Sequence, residues 1–378
     1  MKINRYIKKK IKQNLLPEQA VMLLGARRVG KTTLIKEIIS TIPDKIQFFN
    51  CDDPDIKNKF TNIGLNTLKR LLQNSKLVVF DEAQRIKNIG IILKMIVDEM
   101  PEKKILVSGS SSLELSNEIR EPLTGRKKTF HLYPISFLEI YEHNKKDNIS
   151  TESYLKEILK FGTYPKTFSF NKDSDKKEYL LELATDYLYK DVLEYQQVKN
   201  PEQLRKLLQA LALQIGNEVS YKELANLVGL DQKTVVRYLD LLEKSFVIFR
   251  LPALSRNIRK EISKSRKIYF YDLGIRNALI KNFNDHEIRN DIGNMWENLL
   301  ISERIKRNFY QGKLRNYFFW RTYDQKEIDF IEEYDGKFSA FEFKWKKDKF
   351  KKPVEFLENY AQSTIKLINK DNFLNFIT

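Results

Sequence analysis

Gly25-Ala26-Arg27-Arg28-Val29-Gly30-Lys31-Thr32 sets two glycines ahead of a lysine and a hydroxyl, with Thr33 behind them. That spacing suits a polyphosphate. Glycines let backbone N–H groups curl around phosphate oxygens, and a following helix aims its positive N-terminus at them. Lys31 is expected to reach the β- and γ-phosphates, and the Thr32 hydroxyl to ligate Mg²⁺. The segment from Gly25 to Thr33, with Ala26, Arg27, Arg28, Val29 and Gly30 inside it, is the candidate ATP-binding loop. Farther on, Leu77-Val78-Val79-Phe80-Asp81-Glu82 is an apolar run ending in two carboxylates. Elsewhere such a pair is only a solvated strand end. Downstream of a phosphate loop, Asp81 is expected to hold Mg²⁺ through water and Glu82 to orient and polarise the attacking water.

A second constellation lies near the C-terminus. Asp335-Gly336 is a favoured two-residue hairpin turn. If it closes one, Tyr334 pairs with Lys337, and stepping back along both strands sets Asp329 opposite Glu342. Glu342 and Lys344 lie two apart on one strand, so they share the face of Asp329. Two facing carboxylates with Cβ atoms roughly 4.5–5.5 Å apart repel. Either a divalent cation or the adjacent Lys344 ammonium removes the conflict. In the plainer reading, Lys344 merely neutralises both acids.

Short apolar runs at Val21–Leu24, Ile46–Phe49, Leu77–Phe80 and Ile105–Val107 read as strands of a parallel sheet, and a fifth strand is expected at Lys127–Leu132 ahead of Pro134. Lys31–Ser40, Gly64–Gln73, Gly90–Met100 and Ser112–Arg120 supply the crossovers. Helical patterning follows from Ser136 to Asn200, clearest at Tyr154–Phe161 and Tyr179–Glu194. Then come helices at Gln203–Ile215, Tyr221–Val228 and Gln232–Glu243, with Ser220 and Asp231 where N-caps belong. Strands at Phe246–Leu251 and Lys267–Tyr271 flank a basic loop, which completes a winged-helix outline. The last segment reads as a helix, strands at Asn316–Trp320, Glu327–Glu333 and Phe338–Lys344, then a helix and a terminal tail. The expected organisation is a core over 1–135, a helical subdomain over 136–200, a winged helix over 201–275 and an α/β domain over 285–378.

The 378 residues carry a formal charge of +17, which points to phosphate-rich partners. A single Cys excludes an internal disulfide and the structural zinc sites built from two to four cysteines. No apolar run approaches the ~20 residues of a membrane span, so a cytoplasmic location is expected. Val235, Leu239 and Leu242 share one helix face, leaving Lys233 and Arg237 outward. With Arg256, Arg259 and Lys260 of the basic loop they form a candidate nucleic-acid contact, DNA before RNA; a purely structural role for this module stays open.

GARRVGKTT, LVVFDEAQ, ILVSGSSS and LTGRKKTFHLYPISFLE together resemble prokaryotic AAA-type ATPases in which a P-loop core precedes a winged helix and a C-terminal nuclease-like domain. The resemblance implies a P-loop NTPase sheet, ATP and Mg²⁺ as ligands, and a restriction-endonuclease-like last domain. It implies that Ser110 faces the γ-phosphate. It also implies that Arg126, with Arg120 as the alternative, is an arginine finger acting on a neighbouring copy, hence a homo-oligomer. Phe161-Gly162-Thr163-Tyr164-Pro165 is similar to the family's Gly-Gly-x-Pro element, with Thr163 in place of its second glycine. In the last domain the resemblance to the PD-(D/E)xK fold implies that Glu297, Asp329 and Glu342 hold Mg²⁺ and that Lys344 positions or activates water. Asp81-Glu82-Ala83-Gln84 is also similar to a helicase box, but no second RecA-like domain follows. The expected function is ATP hydrolysis coupled to nucleic acid. The alternative is an ATP-dependent switch that binds a protein partner and carries an inactive nuclease-like domain.

Overall fold

Five short segments, apolar except the last, assemble into one parallel sheet. They are β1 (Ala20–Leu24), β2 (Ile46–Asn50), β3 (Leu77–Asp81), β4 (Lys104–Gly109) and β5 (Lys127–His131), in the order β2-β3-β4-β1-β5. β1 and β3 are buried at every position, as strands covered on both faces are. The computed structural model describes residues 3–109, 123–145, 150–187, 200–254, 266–322, 324, 326–346, 349–360 and 362–378. The expected crossover Ser112–Arg120 lies outside them.

This fold class is the one expected, but two helices were not. α1 (Ile7–Asn14) precedes the sheet and buries Ile7 and Ile11, and Arg5 just ahead of it donates to the Val29 and Tyr133 carbonyls. After α2 (Lys31–Ile39) comes α3 (Pro54–Phe60), capped by Asp53, whose side chain accepts from the Asp55 amide. α3 is short, and tertiary packing holds it. Phe60 is fully buried, with ring centroids 4.9 Å from Phe49 and 5.2 Å from Phe80. Burying one such ring contributes about 1.5–3 kcal/mol. α4 (Leu65–Leu72) and α5 (Ile89–Glu99) are the expected crossovers.

The chain divides into two compact units: Asn4–Pro134 with Lys244–Phe246, and Met1–Ile3 with Ile135–Glu243 and Val247–Thr378. In the second, α6 (Phe137–Asn144) starts with a capping box between Ser136 and Glu139. α7 (Thr151–Phe161) and α8 (Asp173–Glu182) follow, the latter running into a π-helical turn at Leu183–Tyr187; the rest of the expected Tyr179–Glu194 helix lies outside the described residues. Next come α9 (Pro201–Leu213), β6 (Glu218–Val219), α10 (Tyr221–Val228) and α11 (Gln232–Lys244). Ser220 and Asp231 accept from the Glu223 and Thr234 amides, as N-caps do. β7 (Ile248–Pro252) and β8 (Arg266–Phe270) pair antiparallel, and β6 adds to β8. α12 (Leu273–Leu279) leads to α13 (Ile292–Gln311), the longest described helix.

The C-terminal sheet joins β9 (Asn316–Arg321), β10 (Glu327–Tyr334), β11 (Lys337–Phe343) and β12 (Ser363–Ile368) in the order β12-β11-β10-β9. Tyr334 pairs with Lys337, the register expected from Asp335-Gly336. One face packs Ile328, Ile331, Ala340 and Ile365 around Phe356 of α14 (Val354–Asn359). The chain ends in α15 (Phe373–Ile377). No described helix is long and apolar enough to cross a membrane.

Candidate functional site

The C-terminal ends of β1, β3 and β4 meet at one edge of the parallel sheet, where ligand sites of such sheets form. Leu24 pairs with both Gly109 and His131, and Phe80 pairs with Val107. The chain leaving β1 turns at Gly25, where an added Cβ would sit 2.2 Å from the Leu132 carbonyl oxygen. It enters α2 through Gly30, whose φ of 97° lies in the left-handed region. Lys31 then buries its ammonium, donating to the Gly25 and Ala26 carbonyls at 3.1 and 3.0 Å, with a Glu82 carboxylate oxygen at 3.7 Å. The loop is folded around its own lysine.

Thr32 and Asp81 come together as expected. The Thr32 hydroxyl donates to Asp81 Oδ2 at 2.7 Å. A residue not anticipated completes the arrangement: fully buried Ser108, at the end of β4, donates to Asp81 Oδ1 and accepts from the Glu82 amide at 3.0 Å. Glu82 itself has a left-handed φ of 55°, and Gln84 Nε2 donates to its Oε2 at 2.6 Å. Ser108 was legible only through strand register, since the level of Asp81 on β4 follows once Phe80 is set against Val107. Burial first, then the carboxylates Asp81, Asp52 and Glu82, push the neighbouring Cys51 thiol up to about 12. A hydroxyl and a carboxylate already within hydrogen-bond reach fit Mg²⁺ chemistry, which takes hard oxygen ligands.

Arg126 sits just before β5, at the far end of β1 from the phosphate loop, since the Ala20 amide donates to its carbonyl. A five-residue strand puts roughly 17 Å between these ends, so Arg126 does not meet the loop of its own chain. Its guanidinium pairs with Asp98. Ser110 and Arg120 lie outside the described residues, as do Arg256, Arg259 and Lys260. Lys233 and Arg237 are exposed on α11, while Val235, Leu239 and Leu242 are buried. Thr163 keeps a tight geometry despite replacing a glycine: its amide and hydroxyl both donate to Asp272 Oδ2, at 2.6 and 3.3 Å.

The C-terminal acids gather differently from the expectation. Glu297 of α13 accepts from Lys267 Nζ at 3.0 Å and from the Tyr269 hydroxyl at 2.5 Å, both on β8. Lys267, 3% exposed, also pairs with Glu327. Its neighbouring carboxylates Glu297, Asp329 and Glu327 raise the ammonium pKa against the opposing effect of burial, so it stays charged. Asp329 Oδ2 accepts from the Phe343 amide at 2.8 Å, and Glu342 Oε1 lies 2.6 Å from Lys344 Nζ. Glu342 Oε2 is buried without a hydrogen-bond partner. Burial first, and then the neighbouring acids, hold the Asp329 and Glu342 carboxyls above their ordinary range. Among the described residues, no group of three or more His, Cys, Asp or Glu side chains is placed to hold a metal ion. Lys267 and Lys344 pair with Glu297 and Glu342, whereas Asp329 accepts from a backbone amide, so a Mg²⁺ role for these three acids rests on the resemblance alone.

Three families match successive stretches. Residues 17–141 match an AAA domain, 152–286 a domain of unknown function (DUF8612) and 292–372 a second domain of unknown function (DUF4143). The chain is 29% identical over 348 residues to an uncharacterized protein of Methanocaldococcus jannaschii, covering 86% of this chain and 75% of that protein. It is 27% identical to an uncharacterized protein of Mycobacterium tuberculosis, covering 86% and 70%. Among solved structures, the RuvB Holliday junction branch migration motor of Thermotoga maritima is similar, at 17% identity and a TM-score of 0.33, covering 69% of this chain and 95% of that one. The replication initiator DnaA, bound to AMPPCP and single-stranded DNA, is similar at 16% identity and a TM-score of 0.31, covering 64% and 89%. Likenesses at those scores carry no functional argument. The AAA match and the loop geometry support an AAA-type P-loop ATPase core with a nucleotide site.

Proposed function

We propose that the chain binds ATP with Mg²⁺ at Gly25–Thr33 and hydrolyses it. The observation that carries this reading is the contact chain from Thr32 through Asp81 and Ser108 to the Glu82 amide, beside a loop that buries Lys31. Backbone N–H groups of the loop and the N-terminus of α2 take the phosphates. Lys31 exchanges the Gly25 and Ala26 carbonyls for β- and γ-phosphate oxygens. Thr32 and Asp81 would hold Mg²⁺, which when bound neutralises charge on the phosphate oxygens. Glu82, steadied by Gln84, orients the attacking water and accepts its proton. Ser110 contacts the γ-phosphate, and Arg126 completes the site of a neighbouring copy. In Lys31→Ala, turnover is expected to vanish together with nucleotide affinity. In Glu82→Gln, turnover falls about 10²–10⁴-fold while nucleotide binding persists. Unchanged turnover in both variants would refute the assignment.

A second function rests on charge. Lys233 and Arg237 face outward on α11 above a buried apolar stripe, in a chain of +17. That favours contact between this winged-helix-like module and a nucleic-acid backbone. Each cation removed should lower the salt slope of binding by about one. The lysine-filled acid cluster argues against strand cleavage and for the nuclease-like domain, over 285–378, as a scaffold or protein-binding element. Strand scission in Mg²⁺, lost in Glu342→Ala, would reverse that choice.

A further inference from the structure

Alternate residues of the C-terminal sheet face opposite sides. Ile331, Ala340 and Ile365 enter the apolar core, whereas the paired residues Ser339 and Thr364, and Phe341 and Lys366, face the other way. Helices α13 and α15 cover that second side incompletely. They leave a concavity of about 600 Å³ whose walls include Arg304, Arg307, Lys313 and Lys366 over a floor of Phe341 and Phe376.

The four cations are not alike. Arg304 is satisfied: Nε and Nη2 bond the two carboxylate oxygens of Glu332 at 2.7 and 2.8 Å, and Nη1 donates to the Phe376 carbonyl at 2.7 Å. Its guanidinium also lies over the Phe376 ring, 4.7 Å from the centroid. Arg307 makes one bond, from Nη1 to the same carbonyl at 3.2 Å, and its buried Nε has no partner. No ion pair of Lys313 or Lys366 is formed among the described residues. The nearby acid Glu332 is already held by Arg304 and by Asn308 at 2.6 Å. Some desolvation, then the charges of Arg307, Arg304 and Arg315, lower the Lys313 ammonium pKa. Three cations from α13, the turn after it and β12 thus share one hollow without an anion.

We propose that this concavity binds a small phosphate-bearing anion of polyphosphate size, separately from the phosphate loop. An anion there would relieve repulsion that the fold leaves uncompensated, because opposite charge within a few ångströms favours the ionised lysines. Guanidinium groups suit phosphate geometrically. The volume lies within the roughly 300–1,000 Å³ of small-ligand sites, large for one phosphate and adequate for a chain of three. Asn372, Asn375 and Thr364 add neutral donors at the rim. The inference does not depend on ATP hydrolysis at the other unit.

The test is isothermal titration of full-length Lys31→Ala protein, in which the phosphate loop is disabled, with inorganic tripolyphosphate and, separately, with ADP. Saturable 1:1 binding of tripolyphosphate is expected, weakened at least tenfold in Lys366→Gln and further in Arg307→Gln/Lys366→Gln. Binding of tripolyphosphate and ADP alike marks the phosphate chain as the recognised group; tighter ADP binding means a nucleotide's phosphate tail is the source. Lys366→Gln is an exposed change, so its effect is read even if the double variant folds poorly. Absence of saturable heat, or affinity indifferent to Lys366→Gln, overturns the proposal. So does binding seen only with a single-stranded oligonucleotide, which would assign the surface to a polynucleotide.

Discussion

Lys267 is the residue whose replacement tests the C-terminal architecture most directly. Its side chain is 3% exposed, and its ammonium meets Glu297 at 3.0 Å together with Glu327, with Asp329 close enough to act on it. Lys267→Met keeps most of the side-chain volume and deletes the charge. Glu297 is then left with only the Tyr269 hydroxyl, and two carboxylates face each other in a water-poor site. Removing one partner of a buried ion pair costs about 3–5 kcal/mol, and the charge here serves two acids, so the upper half of that range is expected. The assay is urea denaturation followed by tryptophan fluorescence, because Trp296 and Trp320 both lie in this unit. The cost should shrink as pH falls, since the Asp329 carboxyl, which burial and its neighbouring acids hold above the ordinary range, then protonates and no longer needs a counter-charge. Mn²⁺ should stabilise the variant and leave the parent unmoved, since the methionine frees the carboxylates for a cation; at 100 times Kd the gain would be about 2.7 kcal/mol. A loss under about 1 kcal/mol, or one that does not change with pH, would refute the reading of Lys267 as the internal counter-ion.

Other positions yield sharper single readouts. Burial lowers the His131 pKa to about 4. The unfolded chain then binds the proton first, near pH 6.5. Stability is full above that pH and falls as pH drops toward 4, by about 3 kcal/mol in all at 1.36 kcal/mol per unit; acid titration of Asn4–Pro134 unfolding in His131→Gln should flatten this loss. Ser108→Ala removes the donor that fixes Asp81, and the Mg²⁺ concentration for half-maximal turnover should rise about 10–100-fold, as when outer-shell partners are deleted. Gly162→Ala meets two obstacles at once, a φ of +67° and a Cβ placed 2.2 Å from Asp272 Oδ1. A loss above about 2 kcal/mol is expected from strain alone, read by thermal melting with Gly229→Ala, where the added Cβ meets open space, as the control for backbone strain.

The parallel sheet was legible because its central strands β1 and β3 are apolar on both faces and too short for a helix. The hairpin register was equally legible, because Asp335-Gly336 admits one tight turn, and residues 330–334 pair with 337–341 as counted. Beyond Phe341 the count stops being a guide. β10 shifts register against β9 between Ile328 and Ile331, and Asp329 turns to the Phe343 amide. α3 carried a readable start in Asp53-Pro54, but its seven residues have little intrinsic helix stability and depend on Phe60 finding Phe49 and Phe80. Lys267 could not be foreseen. Nothing local marks it as a lysine that turns inward, and its partners stand 30 and 60 positions away in the chain.

Helix α13 gives the second unit a fixed phase. Its 20 residues carry Glu297 against Lys267, Glu303 against the Phe137 amide at 2.6 Å, and Arg304 and Arg307 against the basic concavity. Glu297 and Arg307 are separated by about 15 Å along the axis. A rod of this kind transmits rotation as well as position. One inserted residue between Glu303 and Arg304 would swing the arginines by about 100° and break their hold on Glu332 and Phe376, with Glu297 left in place. Length along this helix can therefore change only by near-whole turns, which makes α13 the gauge that keeps an acid cluster, a helix cap and an anion-seeking hollow in step.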